Sequence, residues 1–155
     1  MMAGDVKPTP VPQGKYLPAT RHGDLVYTSG TTPRELGILT CEGRVRTHDP
    51  IAEYKDSVIL ACANALAAAR STISEDEKIG QVLSLTVFVV SDPDFQAHSR
   101  LADFASEYLF NELGEAGVGA RTALGVASLP GNAPVEIQLI AAVSRRGAEA
   151  RASDP

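Results

Sequence analysis

Two charged residues near the end of this 155-residue chain have neighbours that leave room for chemistry. Arg121 lies in a run that reads as a strand over Ala120–Ser128, and it shares its parity with Ala123, Gly125 and Ala127. Such small side chains leave open space in front of a guanidinium. Its planar fork donates two parallel, charge-assisted hydrogen bonds to a carboxylate. Glu136 lies in a second run, Pro134–Val143, where Val135, Ile137, Leu139, Ala141 and Val143 hold the opposite parity. Period two buries that apolar set and turns Glu136 away from it. Held beside a water and partly desolvated, Glu136 is a general base or acid. The two runs read as strands joined in a hairpin by the turn Leu129-Pro130-Gly131-Asn132, and the competing reading pairs Arg121 with Glu136 across it as an ordinary ion pair.

Further candidates stand at the other end of the chain. Tyr16 either walls a cleft and hydrogen-bonds a ligand or packs against the N-terminal arm. Ser29 ends a β-rich run just before Gly30, so its hydroxyl and the adjacent amides either bind polar atoms or serve a turn. Arg34, Arg44 and Arg46 form a small basic cluster, read as solvated loop charges or as the mouth of a cleft for anions. His22, His48 and His98 have no metal-ligand spacing, and His98 falls on the inner stripe of a helix. Cys62, inside an Ala-rich run, reads as a small buried thiol, and Cys41 stands near a loop.

Positioning these side chains requires the following elements. Residues 1–14 carry prolines and no apolar period, which predicts an extended or disordered arm. Asp24–Ser29 predicts a strand, as does Ile38–Cys41 after a loop through Pro33 and Gly37. Asp49-Pro50 reads as the N-cap and first position of a helix whose apolar stripe is Ile51, Tyr54, Val58, Cys62, Ala65, Ala69 and Ile73. Gln81–Val90 predicts a central strand with Leu83, Leu85, Val87 and Val89 on one face. Asp92-Pro93 reads as a second helix start, with Phe95, His98, Ala102, Ala105, Leu109 and Leu113 as its stripe. The order β-β-β-α-β-α-β-β predicts a single α+β domain over 15–144, a mixed sheet with two helices on one face, and a polar tail over 145–155. The uncovered sheet face predicts packing against further copies of the chain.

A net charge of −5, no Trp and 5% aromatic residues argue against nucleic-acid binding, which needs a basic face and stacking surfaces. Two cysteines are too few for a disulfide framework. No apolar run approaches a membrane span and no charged-then-apolar leader is present, so a cytoplasmic protein is expected.

The chain resembles the Rid/YjgF family, the reactive intermediate deaminases. The resemblance covers about Tyr16 to Val143. It is carried by Ala120-Arg121-Thr122, Leu129-Pro130 and Val135-Glu136-Ile137 at the family's Arg-to-Glu spacing, with support from Tyr27-Thr28-Ser29-Gly30 and Thr86-Val87-Phe88-Val89. It implies a chorismate-mutase-like fold assembled as a homotrimeric barrel with helices outside and clefts between subunits. It also implies hydrolysis of enamines and 2-imino acids to 2-keto acids and ammonia, with no cofactor or metal. By motif, Arg121 takes the substrate carboxylate of a small metabolite and Glu136 positions water, with Tyr16, Ser29, Gly30 and Ala123 as substrate-binding residues of the cleft. The family's best-known deaminases often carry Cys two residues after the arginine; here it is Ala123, and the second helix is that of a divergent branch. A non-catalytic trimer that senses a small carboxylate or docks a partner is therefore the alternative. A ribonuclease reading finds no support in the acidic charge.

Overall fold

The computed structural model describes residues 7–147. The alternating run near the C-terminus forms the strand at the middle of the sheet, β7 (Val135–Arg145), whose Val135, Ile137, Leu139, Ala141 and Val143 are all buried. Before it come β1 (Ala19–His22), β2 (Leu25–Thr28), the short hairpin β3 (Arg34–Glu35) and β4 (Ile38–Leu39), α1 (Lys55–Arg70), β5 (Glu77–Val89), α2 (His98–Leu113) and β6 (Ala120–Gly125). The main sheet has the order β1-β2-β7-β5-β6, antiparallel throughout except for the parallel pair β5 and β6. Both helices pack on one face of it, so the α+β architecture with a mixed sheet holds. Strand β1, and the pairing of Arg34–Glu35 with Ile38–Leu39, are additions to the expected order, and β7 extends two residues past Val143.

The two strands near the C-terminus do not form a hairpin. β5 lies between β6 and β7 and pairs with each, because the Pro130–Asn132 turn carries the chain over the end of β5 rather than back along β6. Gly131 and Asn132 there adopt φ of 65° and 64°, the left-handed region their residue types tolerate.

Neither Asp-Pro pair caps a helix. A 3-10 turn over Ile51–Tyr54 precedes α1, and Asp49 instead accepts the Tyr54 hydroxyl proton at 2.6 Å. Asp92 accepts from the Thr47 N–H at 3.0 Å, and α2 begins only at His98, with no side-chain cap. In each case a partner distant in sequence or a neighbouring turn takes the carboxylate that a cap would have used.

α1 is buried on more than the expected stripe, with Ala61, Leu66 and Ala68 joining Val58, Cys62, Ala65 and Ala69, because it lies against both the sheet and α2. A bulge between Val82 and Ser84 in β5 shifts the register. Val82 therefore joins Leu85, Val87 and Val89 in the core and Leu83 turns out to solvent, the reverse of the parity expected for both. The face opposite the helices carries Leu25, Tyr27, Phe88, Leu124, Ile140 and Glu136, all exposed or half-buried.

Candidate functional site

Four of the expected residues meet in one cavity of about 370 Å³: Tyr16, Ser29 and Gly30 line it, and so does Arg34 of the basic cluster. One wall is the N-terminal arm, residues 7–13, and the floor includes the 30–37 loop and, from α1, Leu60 and Asn64. Ser29 ties down the segment that follows the arm: its N–H donates to Pro18 O at 2.8 Å and its hydroxyl to Leu17 O at 2.6 Å. The Tyr16 hydroxyl accepts from the Gln13 N–H at 3.1 Å, which closes the turn leading into the arm. Asn64 donates to Thr32 O at 3.2 Å and Arg34 O at 2.9 Å, fixing the loop between β2 and β3. The described part of the arm, expected to be extended or disordered, is thus a wall of the cavity. The first six residues of the arm, and residues 148–155 of the tail, lie outside the described residues.

Glu136 stands across Gly30 from this cavity, on the open face of the sheet. Thr31 bridges to Ile137 through a pair of backbone hydrogen bonds of 2.8 and 2.9 Å, which draws Gly30 against the Glu136 side chain. A Cβ on Gly30 would overlap the Glu136 carboxyl. Half-burial of that carboxyl raises its pKa above the ordinary carboxylate value, since nothing compensates the lost hydration. Among the described residues no hydrogen bond or ion pair engages it.

Arg121 and Ala123 lie elsewhere. They follow Leu85 and Val87 in register and so face the helices, whereas Glu136 pairs with Phe88 on the other side of the sheet and two strands away. Within one copy the sheet itself separates Arg121 from Glu136, and the ion pair between them does not form. Arg121 is held instead by α2: Nη1 donates to Asp103 Oδ1 at 2.8 Å and Ser106 Oγ at 3.1 Å, and Nη2 donates to Ser99 Oγ at 2.7 Å and Ser99 O at 3.3 Å. Ser99, Asp103 and Ser106 recur at fours and threes along α2, so they share one polar face beside the edge strand. That spacing was readable in the sequence, but nothing in it pointed to Arg121 as the partner. Ala123 packs against the core.

Arg34, at the cavity, donates to Gly37 O at 2.9 Å within its own hairpin, whereas Arg46 lies away from it and pairs with Asp92 at 3.2 Å. Burial pushes the Cys62 thiol up to about 12, which keeps it protonated and inert. His98 meets the Phe95 ring edge-on at 5.0 Å between centroids. Among the described residues no three His, Cys, Asp or Glu side chains gather as a metal site, and no helix is long and apolar enough to cross a membrane.

Comparison with known proteins gives this geometry its context. The model of the endoribonuclease L-PSP family matches residues 6–143. The chain is 27% identical over 132 residues to Protein TCP17 of Trypanosoma cruzi, covering 83% of this chain and 81% of that one. It is 29% identical over 135 residues to the 2-iminobutanoate/2-iminopropanoate deaminase of Dermatophagoides farinae, covering 86% and 90%. Among solved structures, protein Atu1372 from Agrobacterium tumefaciens is 36% identical with a TM-score of 0.76, over 88% of this chain and 86% of that one. The YjgF gene product of E. coli shares the fold at a TM-score of 0.64 and 23% identity, over 86% and 92%. With the family model spanning nearly every described residue and these structures sharing its sheet and two helices, the chain belongs to the endoribonuclease L-PSP family, also called the YjgF/Rid family.

Proposed function

We propose that this protein hydrolyses small 2-imino acids and their enamine tautomers to 2-keto acids and ammonia. The observation that carries this reading is the Glu136 carboxyl: half-buried, without a hydrogen-bond or ion-pair partner among the described residues, its pKa raised, and packed against Gly30, which itself lines the Tyr16–Ser29 cavity. A carboxylate in that state takes a proton from water more readily than one in bulk solvent. A protonated imine is already electrophilic, so placing water and substrate together supplies much of the rate enhancement. The deaminase from Dermatophagoides farinae acts, by its name, on substrates of this class.

In this proposal the anchor for the substrate carboxylate is Arg121 of a neighbouring copy. One copy keeps Arg121 and Glu136 on opposite faces of its sheet, while the apolar open face and the exposed β6 edge are surfaces a homotrimer would bring together. Cleft completion between subunits is then what joins the two residues. No step of this hydrolysis calls for a cofactor.

The test is ammonia release from 2-iminopropanoate generated in situ, for the wild type, Glu136→Gln and Arg121→Ala. Loss of the rate enhancement in both variants, with assembly unchanged, is expected. Wild-type rates in Glu136→Gln would end this reading.

A second reading, a non-catalytic trimer that senses a small carboxylate, is favoured by one observation: the fork of Arg121 is already filled by Asp103 and Ser99. Stabilisation by 2-keto acids without any ammonia release would establish it in place of the first.

A further inference from the structure

The contact between Arg121 and Asp103 bears on which ligands the site accepts, on the reading that Arg121 receives the substrate carboxylate. Both terminal nitrogens of the guanidinium are engaged: Asp103 and Ser106 hold Nη1, and both oxygens of Ser99 hold Nη2. A ligand carboxylate that pairs with Nη1 while Ser99 and Ser106 keep their bonds must displace Asp103. If the ligand is only an anion, that displacement leaves the Asp103 carboxylate without a cation and beside a second negative charge. A carboxylate that loses its cation and gains a like charge beside it is disfavoured.

A ligand that carries its own positive nitrogen next to its carboxylate removes this cost. We propose that Asp103 is a specificity-determining residue that receives the protonated nitrogen of a zwitterionic ligand, a 2-iminium or 2-ammonium carboxylate, while Arg121 receives its carboxylate. Charges balance in the exchange: the Arg121–Asp103 pair opens, and two new pairs form, guanidinium with ligand carboxylate and Asp103 with ligand nitrogen. The side-chain exposures of the two residues suit this motion. Asp103 is 56% exposed and Arg121 23%, so the acid is the partner free to turn aside while the guanidinium stays seated against Ser99 and Ser106. Hydrolysis replaces the cationic nitrogen with a neutral carbonyl oxygen, and the 2-keto acid then competes with Asp103 as a bare anion. Substrate is held and product is expelled by the same residue.

The experiment is calorimetric titration of the full chain with L-2-aminobutyrate, a zwitterion, and with 2-oxobutyrate, the anion of the same skeleton. It is run on wild type, Asp103→Asn and Asp103→Glu, with a thermal melt of each. In the wild type the zwitterion binds at least about fivefold more tightly, the scale of one partly exposed ion pair. Asp103→Asn abolishes or inverts that preference by improving keto-acid binding, and Asp103→Glu, which keeps the charge, retains it. Equal affinities in the wild type, absence of binding of either ligand, or equal weakening of both ligands in Asp103→Asn overturns the proposal. Ammonia release is scored separately, so a wild type that keeps the zwitterion preference but releases no ammonia refutes hydrolysis and leaves the role of Asp103 standing.

Discussion

Gly30 sits so close to Glu136 that a methyl group on it would approach the Glu136 Cδ to 2.8 Å and overlap the carboxyl oxygen beyond. The absence of a side chain at residue 30 is therefore what lets the Glu136 carboxyl pack against the backbone there, behind a residue that lines the cavity. Backbone strain plays no part, because Gly30 is not among the residues with positive φ.

Gly30→Ala should push the flexible end of Glu136 aside with little cost to the fold. Stability should change by less than about 1 kcal/mol, since the group that must move is a side-chain terminus. Turnover of imino acids should fall roughly a hundredfold, the usual penalty for an ångström of misplacement. A melting curve alongside steady-state rates separates the two effects.

The acid limb of kcat/KM should report Glu136. Its pKa lies above the ordinary 4.5 because burial disfavours the charged form. Activity should rise with pH through an apparent pKa above that value, and Glu136→Gln should remove the limb. The same shift has a stability sign. The folded state holds this proton more tightly than the unfolded chain, so the contribution is present below the unfolded pKa and is lost as pH rises through the folded one.

Glu77 should behave in the opposite sense. The Arg21 guanidinium grips it with bonds of 2.6 and 2.8 Å, and the Ser74 N–H and hydroxyl add two more, which together hold its carboxyl well below the usual range. Its contribution to stability is present above the unfolded value of 4.5 and is lost as pH falls through the folded pKa. Glu77→Gln should lower the melting temperature near neutral pH and lose its effect in strong acid. A constant difference across that range would remove the Arg21–Glu77 clasp as the cause.

Arg121→Ala should lower stability as well as activity, by about 1–2 kcal/mol, because charge-assisted bonds from Arg121 attach the edge strand β6 to α2. From sequence, a binding arginine in open space would have been lost without effect on the melt. Denaturant titration of the variant decides between these outcomes.

Gly119→Ala should be more damaging than either. A Cβ there would collide with the backbone carbonyl of Val82, and no rotamer change relieves a clash with main chain. Overpacking of this kind costs about 1–3 kcal/mol, and it falls where β6 enters the sheet beside β5. Urea unfolding of the variant measures it.

Much of this protein can be read without coordinates wherever the signal is local. Val135 to Val143 alternate with period two and are buried accordingly, because a strand with one covered face admits no other register. Gly131 and Asn132 announce positive φ, and they have it. Within the helices the expected stripe positions Val58, Cys62, Ala65 and Ala69 of α1 and Ala102, Ala105 and Leu109 of α2 are buried as the 3.6-residue period requires, although Leu101 joins them unannounced. The family motif names Arg121, Glu136, Tyr16, Ser29 and Gly30, but it says nothing of how far apart they stand.

What the tertiary structure decided depends on partners distant in the chain. Asp92 looks like a cap until the Thr47 amide, 45 residues away, claims it. One bulge in β5 exchanges the faces of Val82 and Leu83, and no residue type at that point signals it. β5 inserts between β6 and β7, since a parallel partner for β6 was available that local turn chemistry does not reveal. That insertion puts Arg121 under α2 and Glu136 on the opposite face. Side-chain parity follows from sequence, whereas strand order is set by which apolar faces can be buried together, and here that order separates the two residues within a single copy.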